Sequence, residues 1–387
     1  MVQIAPEPVR RADRADRAAG GGLGEILLGW RNRLAASPRF QRWASRFPIT
    51  RSLARRDGTR LYDIVAGFVY AQVLRAAVEL ELLEALRERP ARASALALRC
   101  GVPQARMDTL CQAAAGLGLL TRMRDGRYAL GRLGAAALGV PGLAAMVRHH
   151  DAFYADLADP VALMRGETDP ALARIWPYVG GGAGIDSQTA AVYSELMRES
   201  QAMVAEEVLG AVSLRGVRHL MDVGGGTGAF LTAAARRWPA LAATLFDLPP
   251  VVDGAGARLA EAGLSQRIRV CGGSFRDDAL PTGADAISLI RVCYDHDDDT
   301  VAALLAAIRR ALPSGGLLIL AEPMSGGAKP SRIGDGYFGF YTMAMTTGRP
   351  RAPARHAELL AAAGFERIRV RPTARPFISG VLTARAP

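Results

Sequence analysis

The stretch His219-Leu-Met-Asp-Val-Gly-Gly-Gly-Thr-Gly228 limits what this 387-residue chain can fold into more than any other. Apolar Leu220, Met221 and Val223 read as a strand, four glycines as a tight turn, and Ala229 to Trp238 as a helix. Strand, glycine turn and helix N-terminus in that order form a nucleotide-binding turn. Glycines alone are a weak signal, because Gly224, Gly226 and Gly228-Ala229 also satisfy a dinucleotide pattern. The discriminating residue is Asp222. Its carboxylate would repel a pyrophosphate lying over the turn, but it suits a ligand that brings a cationic amino group there. A second acid, Asp247, follows the apolar run Ala243 to Phe246, about 20 residues beyond the glycines, where a ribose diol is usually held. Together these features fit S-adenosylmethionine better than NAD.

From His219 onward strand-like and helix-like periods alternate. Strands are expected at 220–223, 243–246, 268–270, 286–292, 316–321, 367–371 and 377–383, with helices at about 228–237, 253–262, 300–312 and 354–363. That alternation predicts an α/β fold with a mainly parallel Rossmann-like sheet covered on both faces. The last two strands leave no room for a crossover helix, so they should form an antiparallel edge hairpin. Residues 60–140 read as helix, glycine turn, helix and a short hairpin around Asp125-Gly126, which is a winged-helix outline. Its second helix, Met107 to Leu120, offers mainly Leu, Ala and Gly, so it reads as buried rather than as a helix that reads DNA, and no nucleic-acid partner is expected. Residues 141–215 form a helical linker and substrate lid interrupted at Gly180 to Gly184. The His149-His150 pair there, beside Phe153 and Tyr154, reads as structural more readily than catalytic.

The net charge of +11 is concentrated in residues 1–59, a basic arm. After about 22 flexible residues, Ile26, Trp30 and Leu34, then Phe40, Trp43 and Phe47, alternate with Arg31, Arg33, Arg39, Arg42 and Arg46, with Pro38 as a break. Residues 23–47 could therefore meet a membrane surface or pack on protein; amphipathicity alone does not choose. Cys100, Cys111, Cys271 and Cys293 lie far apart, which argues against a zinc site or a disulfide framework, and no metal is expected. No uninterrupted apolar run reaches the roughly 18 residues of a bilayer span, so the expectation is a cytoplasmic protein, peripheral on a membrane if the arm binds one.

Asp222 to Gly228, Phe246-Asp-Leu-Pro249 and Ala362-Ala-Gly-Phe365 resemble the S-adenosylmethionine-dependent O-methyltransferases of plant phenolic and bacterial polyketide chemistry, over most of the chain from about residue 60. Trp30-Arg-Asn-Arg-Leu34, Ser37 to Trp43, Tyr294-Asp-His-Asp-Asp298 and Glu322-Pro-Met-Ser-Gly-Gly327 are similar to the carotenoid 1-hydroxy O-methyltransferases of purple phototrophic bacteria, the hydroxyneurosporene or demethylspheroidene type. The resemblance implies a homodimeric enzyme whose substrate is a hydroxylated carotenoid. Alternatives are a phenolic or polyketide hydroxyl, or a non-catalytic winged-helix regulator that senses the cofactor.

The expected cofactor site is Asp222 for the methionyl amino group, Gly224 and Gly226 as backbone contacts, Asp247 for the ribose, and Leu248, Ser274, Phe275 and Arg291 around the rest. Ser274 stands where relatives carry an adenine-binding Asp. The family's general-base histidine falls on Tyr294, and the imidazole is displaced to His296. Glu322 matches a base-supporting glutamate, and the second such glutamate is replaced near Pro350-Arg351. Catalytic candidates are therefore His296, Tyr294 and Glu322. A neutral phenol is a poor base near pH 7, whereas an imidazole beside Asp295 or Asp297 could serve. Tyr337 to Met345 is either a greasy pocket wall or an ordinary core helix.

Overall fold

The structure, a computed structural model, describes residues 23–175 and 201–387. The expected flexible head and the Gly180 to Gly184 interruption lie outside the described residues. Two compact units divide at Leu74/Arg75.

In the first unit Pro38 starts a helix as well as ending one. Leu23–Ala35 is followed by Pro38–Ala44, with the proline in its first turn, where its missing N–H costs nothing. Phe40, Trp43 and Phe47 then form a ring ladder, with centroids 5.6 and 4.7 Å apart. The third helix, Arg51–Glu79, runs unbroken through the arm boundary expected at 59/60 and continues into the second unit. It contains no uninterrupted apolar run of 18 residues, as expected, yet by length and mean composition it could cross a bilayer. An 18-residue window of it reaches a mean hydropathy of 1.4 and is only 11% buried, because isolated Asp63 and Arg75 interrupt an apolar run without lowering its average below the threshold. Leu61, Ile64, Val65 and Phe68, at helical spacing on one face, are all exposed.

In the second unit, helices Ala93–Cys100 and Gln104–Gly116 precede a hairpin of β1 (Leu120–Arg122) and β2 (Tyr128–Leu130), in the predicted winged-helix order. Met107, Cys111 and Ala114 are fully buried, which is why the second helix has an apolar composition. The main sheet comprises β3 (His219–Val223), β4 (Ala242–Asp247), β5 (Ile268–Gly272), β6 (Ala286–Ile290), β7 (Leu317–Glu322), β8 (Glu366–Arg371) and β9 (Gly380–Arg385), in the order β5-β4-β3-β6-β7-β9-β8. The five strands from β5 to β7 in that order are parallel; β9 is antiparallel to both β7 and β8. The strand at 377–383 begins later than expected, at Gly380, because Ile378 N–H bonds back to Arg375 O and Arg375 is held by Glu207.

Side-chain alternation divides the core between the two faces. Leu220 and Leu245 pack into one apolar cluster, while Met221, Val223 and Phe246 pack into the other. Burial on both faces, worth about 1.5–3 kcal/mol for each large side chain, makes these strands nearly continuous hydrophobic runs. Strand order reverses beside β3, between β3 and β6, and the crevice at their carboxyl ends is where such sheets take ligands.

One buried group opposes this packing. His356, 1% exposed in helix Pro353–Ala362, has no hydrogen-bond partner for either ring nitrogen among the described residues, and burial pulls its pKa down to about 4. Unpaired polar burial costs about 1–3 kcal/mol. His356→Leu is expected to raise the thermal midpoint by about 2 °C at pH 7. The gain should widen as pH falls from 6.5 towards 4, because the unfolded imidazole takes up a proton there and the buried one does not. Calorimetry across that range checks both; a lowered midpoint would show that the imidazole is stabilising.

Candidate functional site

The glycine turn places two carboxylates at the crevice. Asp222, at the end of β3, is 1% exposed; Ser288 on β6 donates to its Oδ1 at 2.6 Å, and Oδ2 has no partner among the described residues. Desolvation, opposed by Ser288 and reinforced by the charge of Asp247, raises its pKa to about 7. Gly224 is packed so closely that a Cβ would lie 2.7 Å from Val292, whereas a Cβ on Gly226 would meet nothing within 4 Å. The turn is thus tight on its inner side and open on its outer side, as a backbone approached by a ligand must be. Asp247 braces it: Gly226 N–H donates to its Oδ2 at 2.7 Å and Leu248 N–H to its Oδ1 at 2.7 Å, while desolvation raises its pKa to about 6. Both N–H groups are therefore already paired. The hydroxyl of Ser274 donates to Asp277 and also accepts from Arg276 N–H, and the Phe275 ring packs edge-on to His296 at 5.3 Å.

Past β6 the chain makes a tight turn, Cys293–Asp295, that carries Tyr294. Two charged side chains grip its backbone from opposite polarities. Fully buried Glu322 accepts from Val292, Cys293 and Tyr294 N–H at 3.1, 2.8 and 3.4 Å. Buried Arg351 donates to Cys293 O at 2.6 Å and His296 O at 2.7 Å, and to Asp298 at 2.7 Å. Gly348, at φ +73°, lies so near that a Cβ would be 2.1 Å from Tyr294 O. Glu322 therefore positions the turn. The grip of Arg351 on this turn, and the parts of Gly348 and Ser288, escaped sequence reasoning, since each acts on a partner 50 or more positions away.

The three catalytic candidates do not converge. The Tyr294 ring lies under the Arg291 guanidinium, 5.7 Å away, and edge-on to Phe338 at 6.0 Å; burial pushes its phenol well above the ordinary range. Arg291 holds this place from a left-handed backbone conformation, φ +60°. His296 instead sits against Phe275, with Arg276 Nη2 3.1 Å from its Nδ1. A guanidinium only donates, so Nδ1 accepts and the neutral ring carries its proton on Nε2. Burial and Arg276 lower the imidazole's pKa to about 4. Its one lone pair is thus already engaged.

The aromatic run also divides. Arg332–Phe338 is a π-helical segment that passes into helix Gly339–Ala344. Tyr341, Ala344 and Met345 join Phe153, Leu163 and Leu172 in a buried cluster, while Tyr337 and Phe338 are only half-buried. Helix Leu143–Asp156 brings its two histidines here: His149 Nε2 lies 2.8 Å from Tyr341 Oη, and His150 Nε2 lies 2.8 Å from Tyr337 Oη. Among the described residues no cluster of acids, histidines and cysteines could hold a metal ion.

A family model described as the O-methyltransferase domain matches residues 154–366, and one described as the O-methyltransferase dimerisation domain matches residues 62–139. Demethylspheroidene O-methyltransferase of Cereibacter sphaeroides is 55% identical over 95% of this chain and 97% of its own length. The enzyme of the same name from Rhodobacter capsulatus is 48% identical over 91% and 88%. The structure of a methyltransferase of calicheamicin biosynthesis, in its SAH-bound form, superposes with a TM-score of 0.71 at 26% identity, covering 86% of this chain and 98% of that one. Likeness of this extent, in both domains and along nearly the whole length of its relatives, makes the chain a member of the O-methyltransferase family.

Proposed function

We propose that the chain methylates the tertiary 1-hydroxyl of an acyclic carotenoid, of the hydroxyneurosporene or demethylspheroidene type, with S-adenosylmethionine as methyl donor. The observation that carries the choice of acceptor is Tyr294 at the catalytic turn together with an imidazole at 296 whose lone pair already faces Arg276. A phenol gains reactivity by losing its proton beforehand to a base tuned near neutrality, whereas a tertiary alcohol ionises far less readily, so its proton leaves only as the methyl is transferred. The relatives named for demethylspheroidene, aligned over nearly their full length, support the same acceptor.

Bound S-adenosylmethionine supplies an electrophilic methyl carbon on a sulfonium. The residues fit that cofactor: the unpartnered Oδ2 of Asp222 suits the ammonium of its methionyl part, and the open side of Gly226 leaves room for close approach. Asp247 retains lone pairs for the ribose hydroxyls, with Leu248 beside it, and Phe275, Ser274 and Arg291 complete the surround. Glu322 and Arg351 hold the turn, so that Tyr294 can orient the acceptor hydroxyl, and the aromatic side chains Tyr337, Phe338 and Phe153 help exclude water.

The partner of the exposed Leu61, Ile64, Val65 and Phe68 face is a second copy of the chain, in keeping with the dimerisation domain. The arm at 23–47 is read as a membrane-surface contact, supported by Ile26, Leu27 and Trp30, each about 60% exposed, interleaved with arginines. On this reading the enzyme works in the cytoplasm, at the surface of the membrane that dissolves its substrate.

Purified protein given S-adenosylmethionine should form S-adenosylhomocysteine with detergent-solubilised 1-hydroxy carotenoid and not with a panel of phenols; turnover of the phenols alone would overturn the reading. Because Asp222 must be ionised to take the ammonium, cofactor affinity measured by calorimetry should weaken about tenfold per pH unit below pH 7. Asp222→Asn should cost at least about a hundredfold in affinity. The same substitution should stabilise the unliganded fold above pH 7, since a raised carboxylate pKa costs stability as pH climbs. An unchanged affinity would remove Asp222 from the site.

A further inference from the structure

Methylating a hydroxyl releases a proton that must finally reach water, and the acceptor groups around Tyr294, which include the carboxylate of Asp295 with an Oδ1 unpartnered among the described residues, are all buried. His296 has its lone pair on Arg276, Glu322 is engaged by three backbone N–H groups, and the buried phenol of Tyr294 is neutral. A second phenol stands close by. Tyr337 abuts Phe338, ring centroids 5.0 Å apart, and Phe338 in turn abuts Tyr294. On its other side Tyr337 meets His150, Oη to Nε2 at 2.8 Å. Both residues are half-buried, less enclosed than Tyr294.

We infer that Tyr337 and His150 form a proton relay for the methyl transfer, with Tyr337 Oη receiving the proton of the acceptor hydroxyl while passing its own to His150 Nε2. The inference rests on the reading of the chain as a methylase of an aliphatic hydroxyl. The step balances. The hydroxyl oxygen bonds the methyl carbon with a lone pair, and the sulfur keeps the electron pair of the broken carbon–sulfur bond. The O–H electrons return to oxygen as the proton reaches Tyr337, whose own proton converts His150 to imidazolium; the Nδ1 proton then leaves to water, and exchange with solvent returns the imidazole to its Nδ1–H tautomer before the next turnover. Tyr337 ends neutral, so its high phenol pKa, raised to about 12 by burial, is no obstacle. His150 must begin neutral with its proton on Nδ1, and desolvation, which lowers its pKa, favours the neutral form.

The neighbouring pair, His149 and Tyr341, has the same 2.8 Å contact, and Tyr341 is buried with Phe153, Leu163 and Leu172. It supplies a control, because Tyr341→Phe removes a similar hydrogen bond while keeping the ring that stacks on Tyr337 at 5.8 Å.

Wild-type turnover of the hydroxy carotenoid is measured first; its absence defeats the functional reading and not the relay alone. With turnover established, Tyr337→Phe is expected to lower kcat about a hundredfold with cofactor affinity unchanged, as loss of a proton acceptor does. His150→Ala should fall similarly and regain about tenfold on adding imidazole, and Tyr341→Phe should keep kcat within about threefold of wild type. At saturating cofactor, wild-type kcat should fall on the acid side below pH 6.5 as His150 protonates, and that limb should vanish in His150→Gln. The groups facing His150 are His149, Asp151, Tyr154 and Tyr337, and Asp151 is paired with Arg75 at 2.7 Å. A readout independent of turnover is nitrogen NMR of the chain's five histidines. His150 should appear as the Nδ1–H tautomer, and its Nε2 signal should move in Tyr337→Phe. Full activity in Tyr337→Phe, equal losses in Tyr341→Phe, or an Nε2–H tautomer at His150 would each overturn the relay.

Discussion

The catalytic end of this protein depends on one short turn being gripped by two opposite charges. A backbone turn leaves N–H groups on one side and carbonyls on the other, and burying it demands partners for both. Glu322 serves the N–H side and Arg351 the carbonyl side, each from a different part of the chain. Arg351 is paired with Asp298, which is itself held by Arg349 and Arg355, while Glu322 is satisfied by backbone N–H groups and burial raises its pKa to about 7. Burying such a set is costly unless every member is satisfied, and what it achieves here is a fixed place for Tyr294 rather than a deeper energy well. A glutamate that resembles a helper of the base is thus, in this protein, a helper of the backbone.

The cofactor crevice shows the complementary economy. Asp222 and Asp247 are both pushed above their ordinary pKa by desolvation, so the unliganded crevice stores an electrostatic cost that a cationic ligand relieves. Part of the affinity is therefore written into the discomfort of the empty fold. The glycines serve the same end, because a tight inner side and an open outer side turn a strand end into a seat.

Much of this was legible in the sequence for a local reason. A strand buried on both faces is an apolar run, and a glycine turn between a strand and a helix spans ten residues, so Asp222, Gly226 and Asp247 could be placed before any coordinates. The late start of β9 and the helix that runs through residue 59 were not legible, because a tertiary bond from Arg375 to Glu207 set the first and only the absence of a breaker set the second. The site beyond the cofactor was illegible for a different reason. His296 reads as a displaced base in the sequence, which gives no sign of Arg276 on its lone pair, and nothing near His149 and His150 points to Tyr341 and Tyr337, about 190 positions away. Side-chain partners chosen across that distance leave no periodic trace.

The position of β9 has a consequence for how the molecule is made. It pairs with β7 on one side and β8 on the other, so residues 380–385 fill a slot inside the sheet. During synthesis β7 emerges with one edge unpaired, and that edge stays open while nearly sixty further residues are added. An apolar strand with an open edge is a template for foreign pairing. The helix Pro353–Ala362 and β8 are translated in that interval, but among the described residues β8 has only β9 as a partner, so the edge of β7 is closed only when the last strand arrives, alone or already paired with β8. The nascent chain therefore passes through a stage in which its core is nearly built and its most adhesive surface is still exposed, which is the stage a chaperone would have to cover.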